Sequence, residues 1–120
     1  MVTTVSPGSG RGSAGKSPSG LPSSNFHNTR NTGYANAVTA LDCGVAALDA
    51  SIGGVGGCPF APAATGNIAT DDLLYTLDRS EVTTGARLTD VIETAGWLAG
   101  KLGKPVPALL GRAGPFPAGK

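Results

Sequence analysis

Three side chains in this sequence combine a reactive type with a suggestive setting: the thiol of Cys58, the imidazole of His27 and the carboxamide of Asn67. Cys58 lies in the stretch Gly53-Gly54-Val55-Gly56-Gly57-Cys58-Pro59-Phe60-Ala61-Pro62-Ala63-Ala64-Thr65-Gly66-Asn67. The thiol is in the middle of a glycine-rich loop and the carboxamide at its end. Glycine lets a backbone turn tightly and approach a ligand closely. A cysteine that only packs usually sits inside an element, as Cys43 does in this reading. A loop thiol between Gly57 and Pro59 is better placed to reach a substrate and to act as an acid or a nucleophile. His27 is the sole histidine and stands in Phe26-His27-Asn28-Thr29, just before a helix start. A lone histidine is more often structural. At the end of a strand, however, an imidazole can bind a metal or carry protons. The carbonyl oxygen of Asn67, also just before a helix, suits a hard cation such as Mg²⁺. Asp49 faces the same side, and its simplest role is to accept hydrogen bonds from loop amides.

These groups need elements to position them. Thr32 can cap a helix from Gly33 to about Cys43, with Ala35, Val38 and Leu41 on one face and Gly44 at the stop position. Val45 to Ala50 reads as a short buried strand. The glycine loop leaves the end of that strand, which is where α/β folds place their chemistry. Thr70 can cap the next helix, to Asp78, with Asp71 and Asp72 in the first turn where the helix dipole favours acids. A last helix spans about Thr89 to Leu102, its stripe formed by Leu88, Val91, Ile92, Ala95, Leu98, Ala99 and Leu102. Gly103 and Pro105 end it, and the tail from Pro105 to Lys120 reads as irregular. Only one full strand is visible, and one strand cannot form a sheet. The reading therefore calls for strands from a partner or for membership of a larger fold.

Composition changes sharply near residue 25. Residues 1–24 are Ser, Gly, Pro, Thr and a few basic residues, a tract expected to be disordered because it has little to bury. Residues 25–120 carry the α/β pattern. A net charge of +1 gives no pull toward nucleic acid or an anionic membrane. No apolar run is long enough to cross a bilayer. The N-terminus has no hydrophobic signal core. Two cysteines in unlike settings argue against a disulfide framework, and a reducing, cytoplasmic location fits best. Gly10-Arg11-Gly12-Ser13-Ala14-Gly15-Lys16-Ser17 matches the phosphate-loop pattern formally. It lacks the preceding strand and following helix that such a site needs, so no nucleotide site is expected there. The glycine loop is not a dinucleotide fingerprint either, since the third glycine would fall at Pro59.

The chain resembles the C-terminal part of the hydroxymethylglutaryl-CoA lyase family over residues 25–115. The signatures are His27-Asn28-Thr29 with Gly33-Tyr34-Ala35-Asn36, the strand end Asp49-Ala50-Ser51, the Gly-Gly-Cys-Pro-Phe loop with its Ala-Pro-Ala-Ala-Thr-Gly-Asn exit, and Ala69-Thr70-Asp71-Asp72. Related aldolases and the isopropylmalate and homocitrate synthases share the barrel but lack this cysteine run. The resemblance implies the C-terminal part of a (β/α)₈ TIM barrel with a divalent metal, Mg²⁺ or Mn²⁺. It implies retro-Claisen cleavage of 3-hydroxy-3-methylglutaryl-CoA to acetyl-CoA and acetoacetate, a step of leucine degradation and ketone-body formation. On that basis His27 matches the second histidine of a His-x-His metal pair, Asn67 the asparagine ligand, and Cys58 the loop cysteine of proton transfer. Two departures stand out. Asn25 replaces the first histidine, and the earlier barrel strands with their acidic ligand are not among these residues.

Two readings follow. In the first, the chain is a lyase-family protein, truncated in the sense that it retains two of four protein ligands, His27 and Asn67. In the second, it is a non-catalytic remnant, or a fragment that docks on a separate N-terminal barrel half. The expected partners are an acyl-CoA substrate and a homo-oligomer or the missing barrel half, with neither nucleic acid nor membrane.

Overall fold

The computed structural model describes residues 2–5, 23–57 and 66–116. Its centre is β3 (Ala47–Ser51), in which Leu48 and Ala50 are fully shielded from solvent. Residues on both faces of β3 are buried, the signature of a strand covered on two sides. Two strands flank it. β2 (Ser23–Asn25) runs parallel, pairing Ser23 with Ala47 and Asn25 with Asp49. β1 (Val2–Val5) runs antiparallel, from Val2 opposite Ser51 to Val5 opposite Leu48. The sheet order is β1-β3-β2.

This sheet corrects the expectation of a single strand. A strand with two open edges is a pairing template. Val-Thr-Thr-Val is β-branched throughout and fits a pleated edge. Residues 6–22, including the phosphate-loop match, lie outside the described residues.

β2 and β3 are joined by α1 (Gly33–Asp42), giving the parallel strand–helix–strand unit of an α/β barrel. Of the stripe Ala35, Val38 and Leu41, Leu41 packs against the core, but Ala35 is exposed, and the fully buried residues of the helix are Gly33 and Ala37. Small residues win because the helix lies close to the sheet. A Cβ at Gly33 would stand 2.5 Å from Ile68 Cγ2 and 2.7 Å from the His27 carbonyl oxygen. Thr32 makes no side-chain cap. The Gly33 N–H donates instead to Asn28 Oδ1, at 3.1 Å, so the cap comes from the incoming loop. Cys43 stands at the helix end and is exposed, not packed inside it.

Past β3 the chain makes a tight turn at Ile52–Gly54, and after the glycine loop enters α2 (Thr70–Arg79). Leu73, Leu74 and Leu77 of α2 join Ala37, Leu48, Ala50 and Ile68 in the core. Thr70 is not the cap of α2. Ala69 holds that position in extended conformation, and Thr70 is the first helical residue. α3 (Leu88–Leu102) follows, and Gly103 ends it in the left-handed region at φ 64°. Only Ala95 of its stripe is buried. The tail is more ordered than expected: Leu110–Ala113 forms a turn of helix, α4, and Ala108 and Leu110 are buried. The Ala108 N–H donates to the Gly53 carbonyl at 2.9 Å, and Arg79 stacks over Phe116. No helix among the described residues is long and apolar enough to cross a membrane.

Candidate active site

His27 lies two residues past the end of β2, and its side chain is exposed. Asn67 follows the glycine loop and is half-buried. Forty residues apart, they are paired as an antiparallel bridge. The pairing is fixed by the next residue, Ile68, which is fully buried. Its N–H donates to the Phe26 carbonyl at 3.0 Å, and its carbonyl accepts the Ser51 N–H at 3.1 Å. Ile68 thereby stitches the ends of β2 and β3 together and carries Asn67 to His27. The Asn67 Nδ2 donates to the Val55 carbonyl at 3.3 Å, which orients the amide against the first leg of the loop.

The glycines bring the two legs of the loop into contact. Asn67 N–H donates to the Gly56 carbonyl at 3.3 Å, and Asn28 N–H to the Gly66 carbonyl at 3.1 Å. Gly66 has φ 94°, and a Cβ there would overlap the Gly56 carbonyl oxygen. Cys58 and the loop apex to Thr65 lie outside the described residues. The loop is pinched at its base, with the thiol position two residues beyond Gly56.

Three side chains that the sequence reading did not select shape the surroundings. Asp71 and Asp72 are more than dipole partners of α2. Asp71 is fully buried, and its Oδ2 accepts the Gly53 N–H at 2.7 Å, fixing the turn after β3. Its Oδ1 has no hydrogen-bond partner, and burial pushes its carboxyl above the usual carboxylate range. Asp72 accepts the N–H groups of Leu109 and Leu110, at 3.0 and 2.8 Å, and so holds the tail. It also accepts the Tyr34 hydroxyl at 3.3 Å. A first-turn acid reads as a dipole partner in any helix; nothing local in sequence identifies the distant amides it will meet. A cleft of about 590 Å³ opens beside Asn67, lined by Asn28, Tyr34, Asp72, Tyr75, Pro107 and Leu109 among others.

An imidazole nitrogen and an amide oxygen on adjacent backbones fit part of the ligand set of a divalent cation. They supply two positions. No group of three or more His, Cys, Asp or Glu suited to a metal occurs among the described residues. Asn25 is exposed in β2, opposite Asp49, and a carboxamide there adds no base.

A parallel strand–helix–strand unit with a histidine after its first strand, and a glycine loop and an asparagine after its second, is an α/β barrel segment, and the chain belongs to the HMGL-like family, whose model matches residues 18–97. It is 53% identical over 90 residues to the (R)-citramalyl-CoA lyase of Chloroflexus aurantiacus, covering 75% of this chain and 28% of that protein. It is 46% identical over 83 residues to the hydroxymethylglutaryl-CoA lyase YngG of Bacillus subtilis, covering 69% of this chain and 28% of that one. In three dimensions it superposes on the B. subtilis HMG-CoA lyase with a TM-score of 0.71 at 42% identity, covering 76% of this chain and 30% of the other. An HMG-CoA lyase of A. baumannii in complex with coenzyme A and 3-methylmalate gives a TM-score of 0.74 at 38% identity, with 81% and 33% covered. The fold is therefore the C-terminal part of a TIM barrel of a lyase family. The chain spans under a third of the length of the curated relatives it matches.

Proposed function

We propose that residues 25–120, with Ser23 and Ser24 of β2, carry the C-terminal part of the active site of an acyl-CoA lyase that cleaves a carbon–carbon bond by a retro-Claisen step, and that the tract before the family match at residue 18 lies outside the barrel region. The observation that carries this reading is the backbone bridge that sets His27 opposite Asn67 at the base of the cysteine loop. In the reaction the C3 hydroxyl of 3-hydroxy-3-methylglutaryl-CoA loses its proton, and the C2–C3 bond breaks. The new ketone leaves as acetoacetate, and the acetyl-CoA enolate takes up a proton. His27 and Asn67 would hold Mg²⁺ or Mn²⁺, which when bound supplies Lewis-acid polarisation of the substrate oxygens. Cys58 would hand a proton to the enolate carbon. The loop's glycines suit closure that excludes water from that carbanion. A cytoplasmic location and a second chain completing the barrel, or a homo-oligomer, go with this reading. Citramalyl-CoA is the second substrate reading. It is favoured by the 53% identity to a citramalyl-CoA lyase and shares the tertiary alcohol β to the thioester.

Titration of the chain with Mn²⁺ tests the site. His27→Ala and Asn67→Ala should each abolish the paramagnetic broadening that the parent shows at the other residue; a parent spectrum unaffected by Mn²⁺ overturns the metal reading. With Mg²⁺ the chain by itself should release little or no acetoacetate or pyruvate, because Asn25 cannot serve as a base at neutral pH. Robust release would favour a complete catalytic set within these residues. In the completed barrel, Cys58→Ala should cut turnover with metal affinity nearly intact, since a thiol prefers softer ions than Mg²⁺.

A further inference from the structure

We propose that Tyr34 is a positioning residue whose hydroxyl holds the 67–69 segment in place and so keeps Asn67 opposite His27; the proposal rests on the reading of those two residues as a pair. Tyr34 is the second residue of α1 and is half-buried. Its hydroxyl accepts the Ala69 N–H at 2.9 Å and donates to Asp72 Oδ2 at 3.3 Å. Ala69 is the N-cap of α2, so its own N–H has no partner within the helix, and it is almost fully buried. An unpartnered amide there would carry a desolvation cost. Tyr34 removes it.

The neighbouring bonds show why this contact matters. Asn67 N–H is held by Gly56, and both polar groups of Ile68 are held by Phe26 and Ser51. Those contacts are all backbone to backbone. Besides the Asn67 amide's own bond to the Val55 carbonyl, the Tyr34 contact is the side-chain contact that holds this segment from another element, two residues from the candidate ligand. It also couples the segment to α1 and, through Asp72, to α2 and the tail. Asp72 receives the Tyr34 proton while gripping the Leu109 and Leu110 amides, so α1, the 67–69 segment, α2 and the tail meet at one point. Burial, and to a lesser degree the nearby carboxylates, push the phenol up to about 12, so it remains a hydroxyl able to donate at any ordinary pH. A tyrosine that merely fills space would be replaceable by phenylalanine without effect on Asn67.

Tyr34→Phe in the full chain is the test, read by amide hydrogen exchange. The Ala69 and Asn67 amides should exchange about tenfold faster or more, the factor expected for one buried hydrogen bond. Leu77→Val, a core change away from this junction, should shift protection across the core without singling out those two amides. Equal acceleration of Ala69, Asn67 and the rest of the core in Tyr34→Phe overturns the proposal. Should that variant fail to fold, Asp72→Asn, which weakens the anchor behind the phenol, should show a smaller but still local acceleration at Ala69; none there overturns it equally. Mn²⁺ gives a second readout: the parent should broaden the His27 and Asn67 signals together, and Tyr34→Phe should weaken both effects, since loss of either residue as a ligand removes the broadening at the other. Absence of broadening in the parent counts against the metal reading alone, because the exchange comparison still decides the role of Tyr34.

Discussion

At the scale of single residues, the structure assigns work to polar side chains by the amides they meet. Asn28 caps α1 from five residues upstream of the Gly33 amide. Asn28→Ala should cost about 1 kcal/mol, the usual worth of such a cap, measured by chemical denaturation. Asp71 has the opposite balance. Its one good bond to Gly53 N–H does not offset burial of a charge whose second oxygen is unpartnered, so its folded-state pKa is raised above the 3.8 of an ordinary aspartate. The folded state therefore holds the proton more tightly than the unfolded chain. Stability from this group is greatest below pH 3.8 and falls as pH rises through the raised folded-state value. Asp71→Asn should flatten that part of the stability–pH profile while keeping an acceptor for Gly53. An unchanged slope in urea melts across that range would show that Asp71 ionises as freely in the folded chain as in the unfolded one.

Among the elements, α1 is set by how closely it can approach the strand ends. Gly33 permits contact that no other residue does, since a Cβ there would meet both Ile68 and the carbonyl of His27. Gly33→Ala should destabilise by about 1–3 kcal/mol, the range for overpacking. It should also perturb His27 and Asn67 together, because the obstructing atoms belong to the segments that carry them. Chemical shifts of both residues would report this, and a shift confined to α1 would contradict it. α3 behaves differently. Its stripe is regular in sequence, yet Leu102 at its end is 46% exposed and only Ala95 is fully buried. An amphipathic pattern states that a face can be buried, not that this stretch of chain buries it.

For the molecule as a whole, the decisive feature is the pair of strands on the edges of β3. An isolated Val45–Ala50 strand would leave two unpaired edges and a marginal, molten chain. Val2–Val5 and Ser23–Asn25 cover them instead. β1 lies outside the span matched by the family model, and it runs antiparallel where barrel strands are parallel. Thr3→Pro combined with Thr4→Pro should remove ladder bonding whichever of the two amides faces β3. The uncovered edge should then drive concentration-dependent self-association in light scattering. A variant that stays monomeric at high concentration would mean that this edge needs no cover.

What the residues alone determined is what depends on local chemistry. The thiol loop, the strand-end histidine, the carboxamide before a helix and the helix periods were all legible, and with the family signatures they led to the C-terminal part of a lyase barrel. Helix and strand types follow from spacing because a backbone period acts on neighbours in sequence. Tertiary structure decided the rest. The bridge between His27 and Asn67 depends on Ile68 reaching two strand ends at once, and no window of sequence contains those partners. The cap of α1, the grip of Asp72 on the tail and the contact from Tyr34 to Ala69 join residues 5 to 38 positions apart. Thr32 and Thr70 have the right type for caps, but a cap forms only where the incoming chain places an oxygen against a free N–H. β1 was missed for the same reason: four β-branched residues become a strand only when a folded edge is there to receive them.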